Sequence, residues 1–464
     1  MKKLRFYFAL FAGKLIYFTE KALHKNATFF PGSMAVKLCP DILKYFDKPK
    51  QIICITGTNG KTTVTNMLIS FYEKKGYSIV HNSYGSNVAG GIVTSFLKDS
   101  TFMGKCKKDI AILEVDEKSS RLVFPYMEPD WLICTNLFRD SIKRNAHTEY
   151  IAGILDKYIP RKTKLVVNAD DLISSRLAES NERLYFGIEK QENESGKNDS
   201  LIRDISICPE CDTKLEYDFV RYHHIGQAHC PKCGFASAKS DYTVTEIKYD
   251  ENVVAISEKG RIERYELLSG NIVNIYNQVA CVALLKELGF SSDDIKMYLT
   301  KDSIVASRFS VVEAGRVKIM TQLSKGKNSI ACSRALDFIH HFNSEAKAVF
   351  LMVDDLYEEK EGSENTCWLY DADFEYLAQD EVKRVVVAGA RHLDHKLRLL
   401  MAGVPEDRIV CVLEEKDAVN PLVEAAKELG VDSMFILHEV FGYQRANQVR
   451  ECVKERLVSN NASN

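Results

Sequence analysis

Ile52-Ile53-Cys54-Ile55-Thr56-Gly57-Thr58-Asn59-Gly60-Lys61-Thr62-Thr63 is the stretch on which the reading of this chain turns. The apolar residues at its start predict a buried strand over 51–56, and the glycines predict a tight loop. A helix should follow over about 62–75, with Gly76 at the position where helices commonly end on glycine. Glycines in such a loop let backbone amides approach phosphate oxygens, and the helix N-terminus adds positive potential. Lys61 can reach β- and γ-phosphates, and the Thr62 hydroxyl can ligate Mg²⁺. Thr58, Asn59, Gly60, Lys61, Thr62 and Thr63 are therefore the candidate ATP contacts. The spacing departs from the common phosphate loop, because Ile55 stands where the first glycine belongs.

An ATP site needs an acid for its metal. The apolar run 110–115 is followed by Asp116 and Glu117, and Glu114 falls at the strand end, where α/β sheets place ligands. Glu114 is the candidate Mg²⁺ ligand and catalytic acid; the alternative is an ordinary solvated strand end. Further apolar runs at 131–134, 164–167 and 183–186 alternate with helical stretches, which predicts a parallel α/β sheet. The polar run 190–204 reads as a linker. Strand patterns at 242–247 and 253–256 and a helix at 276–288 follow it. A second α/β pattern has strands at 348–353, 384–388, 408–413 and 434–437. The expected division is a helical leader over 1–48, with a turn at Phe30-Pro31-Gly32, a central ATP-binding domain over 49–305, and a C-terminal α/β domain over 306–464. These three parts suit 464 residues at roughly 150 per domain.

Cys208-Pro-Glu-Cys211, eighteen residues and Cys230-Pro-Lys-Cys233 have the spacing of a zinc ribbon inserted at about 205–238. Four thiolates fill a tetrahedral Zn²⁺ and leave no position for an activated water, so the metal should be structural. His223, His224 and His229 are then not needed as ligands. The remaining nine of the thirteen cysteines are scattered. With no secretory signal they indicate a reducing compartment, the cytoplasm.

Lysines and arginines number 62 against 64 acids, which gives no global field to attract nucleic acid. No stretch offers about 20 mostly apolar residues in a row. Lys2, Lys3 and Arg5 before the apolar run 6–13 mimic a signal peptide, but the run is short and Lys14 interrupts it. The segment reads as an amphipathic helix, with contact to the inner membrane face as the lesser reading.

The phosphate loop resembles that of the Mur ligase superfamily, and other segments agree in order and spacing. Asn168-Ala169-Asp170-Asp171 resembles that family's post-strand segment, and Asn274-Ile275-Tyr276-Asn277 its nucleotide-contacting helix start. Within the superfamily, the four-Cys insertion and separate C-terminal domain resemble the MurT family, synthetase-like subunits of lipid II isoglutaminyl synthase that work with a GatD glutaminase. Phe30-Pro31-Gly32-Ser33-Met34-Ala35, Glu114-Val115-Asp116-Glu117, Asn136-Leu137-Phe138-Arg139-Asp140, Trp368-Leu369-Tyr370-Asp371-Ala372-Asp373-Phe374-Glu375 and Arg391-His392-Leu393-Asp394 carry that resemblance.

It implies that the chain activates the α-carboxyl of D-glutamate in lipid II as an acyl phosphate. Ammonia from a GatD-like partner would then give D-isoglutamine. It also implies nucleotide contacts for Asn274 and Asn277, a γ-phosphate contact for Arg308, and a C-terminal Asp that completes the partner's Cys/His pair. That Asp is assigned to Asp371, with Asp373 and Asp355 as competitors. The family's Gly-Arg-x-Glu reads Ser307-Arg308-Phe309-Ser310 here, and its Lys-Asn-Pro-x-Gly reads Lys325-Gly326-Lys327-Asn328-Ser329. The competing readings are a stand-alone ATP-dependent amide ligase and a non-enzymatic ATPase or nucleic-acid adaptor built on the ribbon.

Overall fold

The computed structural model describes residues 2–83, 86–139, 147–192, 194–197, 200–301, 309–324, 328–353, 366–439 and 442–461. Arg308, Asp355, Asp140, Ser307 and Lys325-Gly326-Lys327 lie outside this set. The chain separates into two units: residues 1–138, 147–198 and 204–304 form the first, and 139–146, 199–203 and 305–464 the second.

The first unit opens with helices α1 (Lys2–Ala22) and α2 (Phe30–Leu38). Strand β1 (Gln51–Thr56) leads into α3 (Lys61–Lys74), then β2 (Ile79–His81), α4 (Ala89–Asp99), β3 (Ile110–Glu114) and β4 (Trp131–Cys134). Helix α5 (Thr148–Tyr158), β5 (Lys164–Asn168) and β6 (Arg183–Ile188) complete the parallel part. Beyond the inserted hairpin β7 (Glu216–Tyr222) and β8 (Ile225–His229) come β9 (Tyr242–Lys248), β10 (Val253–Glu258), β11 (Arg261–Glu266), α6 (Ile272–Glu287) and α7 (Ser292–Tyr298).

Among the described residues these strands make a nine-stranded sheet in the order β11-β10-β9-β6-β5-β4-β1-β3-β2. The sheet is parallel from β2 to β9, as the alternation of strands and helices predicts, but β9, β10 and β11 pair antiparallel. Two-residue connections such as Lys259-Gly260 permit only antiparallel neighbours, because a parallel crossover needs a dozen residues or more.

The expected turn at Phe30-Pro31-Gly32 is instead the first turn of α2. Pro31 sits within that first turn, where a missing N–H costs nothing. Gly32 is required by close packing: a Cβ there would lie 1.9 Å from the Gly90 carbonyl on α4. The first 48 residues pack into one face of this sheet, with Phe6, Leu10, Ala35, Ile42 and Phe46 in the same core as Ile92, Leu113 and Leu132.

The second unit carries β12 (Phe309–Ala314), β13 (Val317–Leu323), α8 (Ser329–His341), β14 (Lys347–Met352), α9 (Trp368–Asp371), β15 (Val382–Ala388), α10 (His392–Met401), β16 (Ile409–Val412), α11 (Val419–Glu428), β17 (Ser433–His438) and α12 (Tyr443–Asn461). Among the described residues its sheet runs β12-β13-β17-β14-β15-β16, with β12 antiparallel and the rest parallel. Helices cover both faces, so its central strands are continuous apolar runs, such as Ala348-Val349-Phe350-Leu351.

Candidate phosphate site, zinc ribbon and aspartate

Strand β1 lies between β3 and β4, so the chain departs to opposite sides of it and leaves a crevice at the C-terminal edge of the sheet. The loop 57–60 crosses that crevice. Gly60 has φ +93°, and a Cβ on it would stand 2.3 Å from Asn277 Oδ1. Only glycine fits there. Asn277 thus comes from α6 to the loop. Asn274 lies one turn earlier, where its Oδ1 accepts from Asn277 Nδ2 at 3.3 Å.

Lys61 Nζ donates to Glu117 Oε1 at 2.8 Å and to the Gly57 carbonyl. Burial alone would lower the pKa of this ammonium, but the Glu117 and Glu114 carboxylates outweigh burial and raise it above the ordinary value. Thr62 Oγ1 donates to Glu114 Oε2 at 2.8 Å, and Asn87 Nδ2 donates to Glu114 Oε1 at 3.0 Å. Glu114 is fixed further through its backbone, which exchanges two hydrogen bonds with the Asn82 side chain. The hydroxyl and carboxylate that would hold Mg²⁺ are therefore adjacent and oriented.

The outer wall of the loop is the segment after β4. Asn59 N donates to Asn136 Oδ1 at 3.0 Å, and Thr58 N to the Asn136 carbonyl at 2.8 Å. The Thr58 hydroxyl accepts from Phe138 N at 2.9 Å and donates to the Phe138 carbonyl at 3.1 Å. Thr58 consequently braces the loop through its own polar groups. Among the buried polar atoms that find no partner within the described residues are Asn59 Nδ2 and Asn277 Oδ1, both at this loop. A donor and an acceptor left open beside a glycine-cleared loop suit a nucleotide. Thr63 is buried in the first turn of α3.

Sequence reasoning missed the path by which the ribbon supports this loop. The ribbon's own core is small: Leu172, Cys208, Leu215, Ala228 and Cys230. The four sulfurs lie within 4.8 Å of one another, with Cys208–Cys233 and Cys211–Cys230 at 3.5 Å. Sulfurs around a tetrahedral Zn²⁺ at about 2.3 Å per bond stand roughly 3.8 Å apart, so the residues fit the metal.

From this end β7 and β8 run to a two-residue turn at His223-His224. His224 Nε2 donates to Asp171 Oδ1 at 3.1 Å, and its ring packs 4.5 Å from Phe138. Asp171 also accepts from Leu137 N at 2.8 Å and Ile173 N at 2.9 Å. Burial would raise the Asp171 carboxyl, but hydrogen bonds, His224 foremost, hold it below the usual range. Beside it, Arg221 pairs with Asp170 at 3.2 Å and forks onto Glu194 at 2.6 and 2.9 Å, and Tyr276 donates to Asp170 at 2.5 Å. Glu194, in the run read as linker, is thus an ion-pair partner.

In the second unit, Asp373 is buried. It accepts from Leu201 N at 2.6 Å, and its own N donates to Ser333 Oγ at 2.9 Å. Asp371 ends α9 half-buried. The buried Arg398 donates to the Leu369 carbonyl and the Ala372 carbonyl, both at 2.8 Å, and to both Glu375 oxygens at 2.8 Å. This clamp holds the backbone on either side of Asp371. A buried arginine on α10 carried no motif signal of its own.

The family profile described as Mur ligase middle domain matches residues 55–207, and that described as MurT ligase C-terminal matches residues 326–439. The lipid II isoglutaminyl synthase (glutamine-hydrolyzing) subunit MurT of Staphylococcus aureus (strain COL) is 30% identical over 87% of this chain and 89% of its own. The protein of the same name from Streptococcus pneumoniae (strain ATCC BAA-255 / R6) is 29% identical over 86% and 88%. Among solved structures, a pseudomurein peptide ligase type C from Methanothermus fervidus superposes with a TM-score of 0.66 at 19% identity, covering 89% of this chain and 80% of that one. MurF ligase from Thermotoga maritima in complex with ADP does so at 0.60 and 16%, covering 93% and 85%.

Proposed function

This chain belongs to the MurT family of Mur ligase-like subunits, and from that premise we propose that it is the ATP-dependent synthetase subunit of a lipid II isoglutaminyl synthase. It phosphorylates the α-carboxyl of D-glutamate in lipid II. Ammonia from a GatD-like glutaminase then displaces phosphate to leave D-isoglutamine. The work is done in the cytoplasm.

The observation that carries this reading is the cluster at the C-terminal end of β1: Lys61 on Glu117, Thr62 on Glu114, and open polar atoms on Asn59 and Asn277. A carboxylate is a poor electrophile, and transfer of the γ-phosphoryl group supplies a leaving group that ammonia can expel. Lys61 and the amides at the start of α3 neutralise charge on the phosphates as the transfer proceeds. Thr62 and Glu114 would hold Mg²⁺, which when bound would supply further positive charge to the transferring phosphates. Cys208, Cys211, Cys230 and Cys233 would hold Zn²⁺, and four thiolates would make it a structural metal.

Asp371 is assigned to the glutaminase partner. There it would accept a hydrogen bond from the catalytic His and orient it as the third member of a triad does. Its exposure favours it over Asp373, whose carboxylate is enclosed and already bonded to Leu201.

The test is to purify the chain with its glutaminase and supply ATP, lipid II and glutamine labelled with ¹⁵N at the amide. Label in the stem peptide, dependent on ATP and on both subunits, is expected. ATP-dependent addition of an amino acid to a carboxylate without any glutaminase would overturn the reading in favour of a stand-alone ligase.

A further inference from the structure

Helix α1 has two apolar faces. One, with Phe6, Ala9, Leu10 and Gly13, is buried in the core of the first unit. On the opposite side Leu4, Phe8, Phe11, Leu15 and Phe18 recur at i, i+4, i+7, i+11 and i+14, a single stripe along the helix. These five side chains are between 54% and 76% exposed, and the stripe is about 21 Å long at 1.5 Å per residue. Phe102, in the turn that follows α4, extends it sideways, with its ring 5.5 Å from Phe11 and 6.5 Å from Phe18; Met103 beside it is also exposed.

The helix is held firmly in this orientation, since Lys14 reaches back to the Leu97 and Ser100 carbonyls and Arg5 donates to the Leu38 carbonyl. A core-facing helix normally shows water a polar face. A continuous apolar band on the outward side marks an interaction surface.

The charge around the band identifies its partner. Between residues 2 and 25 five exposed basic residues, Lys2, Lys3, Arg5, Lys21 and Lys25, stand against one acid, Glu20, and Lys105, Lys107 and Lys108 follow Phe102-Met103. The whole chain is at −2, so this positive rim is local. A two-fold contact between copies would press this rim against itself and gather like charges. A bilayer with anionic headgroups accepts both features, apolar side chains entering at headgroup depth and lysines remaining at the phosphates. Among the described residues no helix is long and apolar enough to cross a membrane, so the contact is in the plane of the surface.

We propose that the outward face of α1, with Phe102 and Met103, docks the enzyme on an anionic bilayer. The inference rests on the reading above only in that a lipid-linked substrate gives such docking a use.

The test is co-sedimentation of the full chain with vesicles of phosphatidylcholine alone or mixed with phosphatidylglycerol, at low and high salt. Binding to the mixed vesicles that weakens with salt is expected, and F8S/F11S/F18S should weaken it about tenfold or more. Charge reversal by K105E/K107E should remove most of the preference for the anionic lipid while leaving the apolar stripe intact, so an unfolded triple variant would not remove the test. Failure of the wild-type chain to bind mixed vesicles overturns the proposal. So does a dimer in sedimentation velocity that F8S/F11S/F18S dissociates, or protection of Phe8 and Phe11 by the glutaminase in place of vesicles. Amidation of lipid II dispersed in detergent, measured in parallel, tests the catalytic reading separately: its retention with no vesicle binding sinks the docking face alone.

Discussion

His224 Nε2 lies 3.1 Å from Asp171 Oδ1 with both side chains fully buried, and this contact joins the tip of the zinc ribbon to the wall of the phosphate loop. Asp171 holds Leu137 N, and the next residue, Phe138, holds the Thr58 hydroxyl. His224→Ala should leave Asp171 short of a partner and cost about 1–3 kcal/mol of stability. It should also raise KM for ATP more than it lowers kcat, and His224→Gln should recover part of both. Melting curves and steady-state kinetics check this; lost stability with unchanged KM would make the contact purely structural.

Lys61→Ala removes the positive charge that the loop presents, and amidation should fall by roughly 100- to 1,000-fold. The fold should survive with a lower melting temperature, because the substitution opens no apolar cavity but leaves the buried Glu117 without its cation. Circular dichroism beside an ATP-hydrolysis assay distinguishes the two effects.

Cys208→Ser should reduce bound zinc, measured by elemental analysis, and lower the melting temperature. The ribbon's five-residue core cannot support the hairpin without the metal. Zinc retained at one per chain with unchanged melting would refute the structural site.

Asp371→Asn should impair glutamine hydrolysis in the complex while sparing nucleotide binding. Arg398→Met should act in the same direction through the loosened backbone at Leu369 and Ala372, with an added stability cost of about 1–3 kcal/mol from the two freed carbonyls. Normal glutaminase activity in Asp371→Asn moves the role to another acid.

Gly60→Ala should abolish ATP turnover even though it adds one methyl group. At φ +93° that methyl would meet Asn277 Oδ1. Isothermal titration with ATP reads the loss directly.

The catalytic strands were legible because they are buried on both faces and so form unbroken apolar runs: Ile52-Ile53-Cys54-Ile55 needs no partner in sequence to declare itself. Strands β7 and β11 were not, since each has exposed positions and charged residues, as in Arg261-Ile262-Glu263-Arg264, and β8 is short and holds Gly226, Gln227 and His229 in place of an apolar run. The gathering of the four cysteine sulfurs was legible from spacing alone, because two knuckles fix them locally. What could not be read was every contact made across the fold. Glu117 against Lys61, His224 against Asp171 and Arg221 against Asp170 join residues 51 to 56 positions apart, and nothing in the local pattern selects one acid over its neighbour.

On the proposed reading, the Lys61–Glu117 pair would also act as a filter. The lysine already has an anion in reach, so a nucleotide entering the crevice must offer a stronger one to draw it away. A nucleoside without phosphates leaves the pair closed and gains nothing from the ammonium. A triphosphate would draw the ammonium away and leave the buried Glu117, whose carboxyl burial already pushes up, free to take a proton, so the crevice would meet the phosphates without a second uncompensated carboxylate beside Glu114.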